Sequence, residues 1–178
     1  AVTAAEQERG VLELIRWRAG KTGEVELQLP VLGAYSDTAP YRCPKSKRIF
    51  EQGCRVIAKK GLGSISIPTN LNALALLASG REAYRPMLAD YARKVAELRV
   101  EGDASWSYSY STLFLAEYVL ATGDQSVMPG LRRLASEIAL GASTVGTWGH
   151  KFALPNGNCN GYGAMNQPGI VLDLAMVV

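Results

Sequence analysis

Leu76–Ala96, LLASGREAYRPMLADYARKVA, lies over Val119–Ala139, VLATGDQSVMPGLRRLASEIA, at an offset of 43 residues. Gly80 falls on Gly123, Pro86 on Pro129, Ala92 on Ala135 and Val95 on Ile138. In each copy a small apolar helix ends at A(S/T)G, a short turn follows, and an amphipathic helix begins near the proline. The pattern predicts a repeated αα-hairpin, and such units stack because none buries its apolar face alone.

The two helices of a unit differ in character. NLNALALLA and STLFLAEYVLA are apolar nearly all round, which predicts inner helices, with Thr69 and Asn70 capping the first of them. REAYRPMLADYARKVAELR and DQSVMPGLRRLASEIAL carry one charged face and should lie outside. PKSKRIFEQGCRVIAKKG reads as an earlier outer helix and PGIVLDLAMVV as the start of the next inner one. Upstream, after a short helical piece TAAEQER, the period changes from helical to alternating. In GVLELIRWRAGKTGEVELQLP, Val25, Leu27 and Leu29 take one face and Glu24, Glu26 and Gln28 the other, a β-hairpin at about 11–29. Pro30, Gly33, Pro40 and Pro44 then interrupt regular structure, so 30–43 reads as a linker and 44–178 as the helical domain.

Connections from an outer helix to the next inner one emerge on one rim of such a stack. Here they are GLGSISIPTN, VEGDASWSYSYS and a long loop from Gly141 to Gln167 that holds the single histidine. Trp106, Tyr108, Tyr110, Trp148, His150, Asn156, Asn158, Tyr162 and Asn166 should gather there, beside inner-helix N-termini whose free N–H groups favour anions and polar oxygens. The opposite turns are short, so the rim is where a ligand site belongs. Each residue also has a structural reading. His150 could pin the loop to a backbone carbonyl, Asn156, Asn158 and Asn160 suit tight turns, and Tyr108 and Tyr110 could be packing.

Composition narrows the classes. The 178 residues are 48% hydrophobic and 20% charged, an ordinary globular content. A net charge of +3 from 19 basic and 16 acidic residues, with one short basic run at Lys45, Lys47 and Arg48, leaves no nucleic-acid footprint. No apolar run approaches the roughly 20 residues of a membrane span, and AVTAAEQERG does not read as a signal peptide. The chain starts without Met and stops inside an apolar stretch, which predicts a piece of something longer. Cys43, Cys54 and Cys159 form no CxxC pair and are odd in number, so thiols rather than a disulfide framework are expected. Cys43, just before Pro44 at a helix start, is placed where a thiolate is stabilised, but no base is near it in sequence.

LPVLGAYSDTAPYRCPKS, FLAEYVLATGD and GTWGHKFALPNGNCNGYGAMNQPG resemble an uncharacterised bacterial family in which a PDZ-like module runs into an α/α-toroid of the squalene-cyclase and prenyltransferase type. The resemblance implies a mainly α fold. Residues 1–29 would be the end of the PDZ-like module and 44–178 an incomplete toroid, completed by the remainder of the same protein or by another chain. It also implies a periplasmic or secreted bacterial location.

Three toroid chemistries compete. Terpenoid cyclisation needs an acidic DxDD-like donor or an equivalent, and the rim carries Asp103 alone, whereas prenyl transfer on a toroid needs zinc. A zinc site needs a tetrahedral Cys/His/Asp set; His150 and Cys159 supply two ligands and no third is evident, so no cofactor is expected. Polysaccharide lysis or hydrolysis uses Asn, His, Tyr and Arg, with His150 and Tyr162 exchanging protons and Asn156, Asn158 and Asn166 neutralising a carboxylate. Trp106 and Trp148 would stack on sugar rings. The competing reading is a non-catalytic module that presents the same rim to a glycan or a peptide, with the PDZ-like part holding a chain terminus or a strand.

Overall fold

The predicted hairpin forms as β1 (Val11–Arg18) and β2 (Lys21–Gln28), antiparallel, with Leu12 opposite Leu27 and Leu14 opposite Val25. Period-two alternation therefore puts these four apolar side chains on one face, as the sequence pattern requires. Ala19 and Gly20 make the turn, with φ of 50° and 78°. Two positive values in a two-residue loop suit the right-handed twist of the strands. The computed structural model describes residues 1–99, 105–161 and 163–178. It divides into two units, Ala1–Val56 and Ile57–Val178, each taken by itself below.

The first unit holds α1 (Val2–Gln7), the hairpin and most of α2 (Pro44–Lys60). Residues 30–43 have no helix or strand, yet they are tied down. Leu32 N donates to Glu6 O at 2.9 Å, and the Tyr35 ring lies 4.6 Å from the Lys45 ammonium. That ammonium is fully buried and lies 2.7 Å from Glu6 Oε2, outside hydrogen-bond alignment, so the pairing is Coulombic. A buried charge costs far more unpaired than paired, which binds α1 to the start of α2.

The second unit carries the repeat. Its helices are α3 (Ile67–Ala78), α4 (Arg85–Ala96), α5 (Ser105–Thr122), α6 (Met128–Leu140) and α7 (Asn166–Val177). The 43-residue offset holds in the backbone as well. Gly80 and Gly123 both take positive φ, 62° and 71°, the left-handed conformation that glycine adopts without strain. A single 3-10 turn follows each, Glu82–Tyr84 and Gln125–Val127, and then a helix with proline in its first turn. The helices fall in two rows: α5 packs between α3 and α7, while α4 packs on α6. Val95, Leu134 and Ile138 are fully buried between the rows, each such burial stabilising by about 1.5–3 kcal/mol.

Two local expectations are corrected. Ser66, not Thr69 or Asn70, caps α3, its hydroxyl accepting from Thr69 N at 3.3 Å. Asn70 is instead a buried crosslink. Its amide donates to Ser111 Oγ at 3.1 Å, and its carbonyl accepts from the Tyr91 hydroxyl at 2.8 Å, joining α3, α4 and α5. The cap rule failed because the helix begins three residues earlier, after a serine followed by Ile67 and Pro68. The second correction concerns Trp106, Tyr108 and Tyr110, which lie within the first turns of α5 rather than in the connection before it.

Candidate functional site

The start of α5 meets the long connection between α6 and α7, and one contact draws them together. Trp106 Nε1 donates to His150 Nδ1 at 3.2 Å, and Ser105 N donates to His150 O at 3.0 Å. With Nδ1 accepting, the ring's N–H is on Nε2. The indole thus sets the tautomer.

Around this pair the loop is pinned at many points. Ser143 N donates to Thr147 O, Thr144 N to Gly157 O, Ala153 N to Gly141 O and Met165 N to Trp148 O, all within 2.8–2.9 Å. Lys151 and Asn160 form an isolated antiparallel bridge. Close approaches explain two glycines. A Cβ on Gly149 would lie 2.3 Å from Asn160 O, and one on Gly141 would lie 2.3 Å from the Phe152 ring.

The predicted residues separate into groups. Trp106 and His150 are in contact and partly exposed. Trp148 is buried, and its Nε1 donates to Ile138 O at 2.9 Å, so it anchors the loop to α6. Tyr108 is buried too, its ring 4.5 Å from that of Phe152. Tyr110 is half-buried. Asn156 Oδ1 accepts from Asn158 N at 3.1 Å in an exposed turn, which is the turn-forming role. Asn166 is exposed at the first position of α7. Tyr162 and Asp103 lie outside the described residues.

Beneath the rim the fold assembles a cluster that the sequence reading missed. Glu137 lies near the Tyr108 hydroxyl, and Arg133 Nη1 donates to both Glu137 oxygens at 3.0 and 3.1 Å. Burial, then Glu137 through its acceptor oxygens and its negative charge, push the Tyr108 hydroxyl up to about 12, against the smaller opposing effect of Arg133 and Arg99. Arg133 Nη2 also donates to Ala96 O and Leu98 O, at 3.1 and 2.6 Å, closing the C-terminal end of α4. The Arg133–Glu137 pair was readable at i,i+4 spacing. Its contact with Tyr108 was not.

In the first unit, Cys43 borders a concavity of about 760 Å³ lined also by Tyr41, Arg42, Lys47 and Phe50. Hydrogen bonds from the Ser46 side chain and backbone, and then from the Ser36 backbone, lower its thiol to about 6. The residue is itself covered by its neighbours, and burial opposes this shift less than those hydrogen bonds favour it. Among the described residues, no three His, Cys, Asp or Glu side chains gather where a metal could be held. Among them, too, no helix is long and apolar enough to cross a membrane.

A family model described as "Domain of unknown function (DUF6288)" matches residues 46–178. No match was found among curated proteins or among solved structures.

Proposed function

We propose that this chain, which belongs to the DUF6288 family, contributes part of an α/α-toroid whose rim acts on a carbohydrate or another polar polymer. The two-row stack with its 43-residue repeat supports the toroid reading, and the remainder of the same protein or another chain would complete the ring. The observation that carries the rim reading is the Trp106–His150 hydrogen bond. It holds the imidazole with its proton on Nε2, suited to giving a hydrogen bond to a sugar oxygen or a uronate carboxylate. Tyr162 is the proposed partner in proton transfer. Asn166, beside the N-terminus of α7, is the proposed donor to the substrate's carboxylate. Fold analogy supplies the reaction class, lyase or hydrolase.

A second reading has its own observation. Trp148 and Tyr108 are committed to packing and Asn156 to a turn, so fewer groups remain for chemistry than for recognition. On this reading the rim binds a glycan or peptide without turning it over, and the PDZ-like end holds a chain terminus or a strand. Terpenoid cyclisation stands third, since its acidic donor would have to be Asp103.

Incubation with uronate-containing and neutral polysaccharides distinguishes the readings. The enzyme reading expects new reducing ends, or the absorbance of the conjugated double bond that β-elimination creates, and expects His150→Gln to abolish turnover in a folded chain. Retained binding with no turnover in either form assigns the rim to recognition. No turnover and no binding across the panel removes both.

A further inference from the structure

Within the second unit, the row of α3, α5 and α7 leaves one side uncovered. α5 packs on α3, α4, α6 and α7, yet Trp106, Tyr110, Leu113 and Glu117 are only half-buried, while most residues between them are covered. Spacings of four, three and four residues put these side chains on one stripe, opposite the face that meets α4 and α6. The helices on either side repeat it. Leu71 and Leu74 on α3, and Asn166, Ile170 and Asp173 on α7, keep the same spacing and are likewise not buried. Three adjacent stripes make one wall, and it starts at the rim with Trp106 and Asn166. A further repeat would lengthen both rows beyond α7, as α5 and α6 lengthen them beyond α3 and α4, and would leave this side of α5 as it is.

The charge on the wall has one sign. α3, α5 and α7 together carry two charged residues, Glu117 and Asp173, both acidic and both on the wall. Among the described residues neither side chain makes an ion pair or a hydrogen bond. In the other row, by contrast, Asp90 is paired with Arg93 and Glu137 with Arg133. The face of a sugar ring suits aromatic and aliphatic side chains such as Trp106, Tyr110 and Leu113. Two unmatched carboxylates beside them suit an ammonium group, by charge complementarity.

We propose that this wall binds amine-bearing sugar units of the polymer, with ring faces on Trp106 and Tyr110 and ammonium groups at Glu117 and Asp173, below the unit whose oxygens the rim donors hold. Along the helix Glu117 stands about 16 Å from Trp106, so more than one unit of a polymer spans the wall. The inference rests on the carbohydrate reading of the rim and narrows it.

Calorimetric titration with three probes tests it: oligomers of glucosamine, the same oligomers N-acetylated, and oligogalacturonate, at a pH that keeps the amines protonated. The glucosamine oligomers should bind about tenfold more tightly than the acetylated ones, the scale of two partly exposed ion pairs. Glu117→Gln combined with Asp173→Asn should erase that difference in a chain whose circular dichroism is that of the parent. If the acetylated oligomers bind, lose binding in Trp106→Ala, and gain nothing from a free amine, the wall inference is overturned and the rim reading stands. A preference for the amine that survives the double substitution also overturns it, and so does oligogalacturonate binding more tightly than the glucosamine oligomers. If none of the three probes binds, the rim reading falls and this inference falls with it.

Discussion

Trp106 and His150 are 44 positions apart in the chain, and the indole of one donates to Nδ1 of the other at 3.2 Å. The bond ties the long connection to the first turn of α5. Its chemistry ranks three variants. Gln at 150 offers a carbonyl oxygen to the indole and retains the bond, whereas Leu leaves the indole N–H without a partner. His150→Leu should therefore destabilise the fold by about 1–3 kcal/mol, Trp106→Phe by about 0.5–1.5 kcal/mol, and His150→Gln least. Urea denaturation measures the order. Equal losses for Gln and Leu would show that the bond has no part in holding the loop.

Gly130 and Gly53 should answer oppositely to alanine. At Gly130 the new methyl would meet Ala96 O at 2.4 Å and Ala96 Cα at 2.6 Å, and backbone cannot move aside as a side chain can. α6 would have to lift from α4, loosening Arg133 from the carbonyls of Ala96 and Leu98. The expected loss is about 1–3 kcal/mol. At Gly53, in α2, nothing lies within 4 Å. There alanine should gain up to about 1 kcal/mol from helix propensity. Thermal melts of the two variants at low protein concentration check the pair of signs.

The fold was legible where one physical rule acted alone. Period-two alternation marked the hairpin and the two faces of its second strand, and Gly80, Pro86, Gly123 and Pro129 marked the turns and helix starts of both repeats. The site was less legible because its residues serve two purposes. SWSYSYS reads as a polar connection, yet Ser105, Ser109 and Ser111 are buried on a helix flanked by other helices. Serine is small enough for close packing there, and the Ser109 hydroxyl donates back to Trp106 O. Tertiary burial overrode local preference, and no single-sequence rule shows that Trp148 faces Ile138 or that Tyr108 faces Glu137. The Trp106–His150 contact was foreseen only as proximity on one rim.

Two tyrosines should govern alkaline stability. Burial pushes Tyr91 up to about 12, and Tyr108 likewise, from an ordinary value near 10. A phenol whose folded value is raised releases its proton more readily when unfolded. Its contribution is thus intact below pH 10 and is lost as pH rises towards 12. Stability should fall steeply across that interval. Tyr91→Phe should flatten the fall, although it also leaves the Asn70 carbonyl short of a donor and lowers stability at neutral pH. Tyrosinate absorbance, titrated alongside circular dichroism, would show Tyr91 and Tyr108 ionising late, together with Tyr118, which burial and Asp124 also push up. If all eight ionise together near pH 10 in a folded chain, the burial argument is wrong.

Cys43 gives the opposite sign. Its thiol is lowered from 9.0 to about 6, first by the Ser46 side chain and then by the backbone N–H groups of Ser46, at the start of α2, and of Ser36. A depressed value means that the folded chain stabilises the thiolate. That stabilisation is fully present above pH 9 and fades as pH falls through 6. Across pH 6–9 the parent chain should therefore gain stability relative to Cys43→Ala, with the two curves parallel below that range. Thiolate absorbance locates the midpoint directly, which matters because the side chain is too well covered for alkylation rates to report it cleanly. Ser46→Ala removes the largest cause and should move the midpoint upward, towards the ordinary thiol value, while Cys54→Ala and Cys159→Ala leave it in place. A midpoint unchanged by Ser46→Ala would mean that the helix start alone holds the charge.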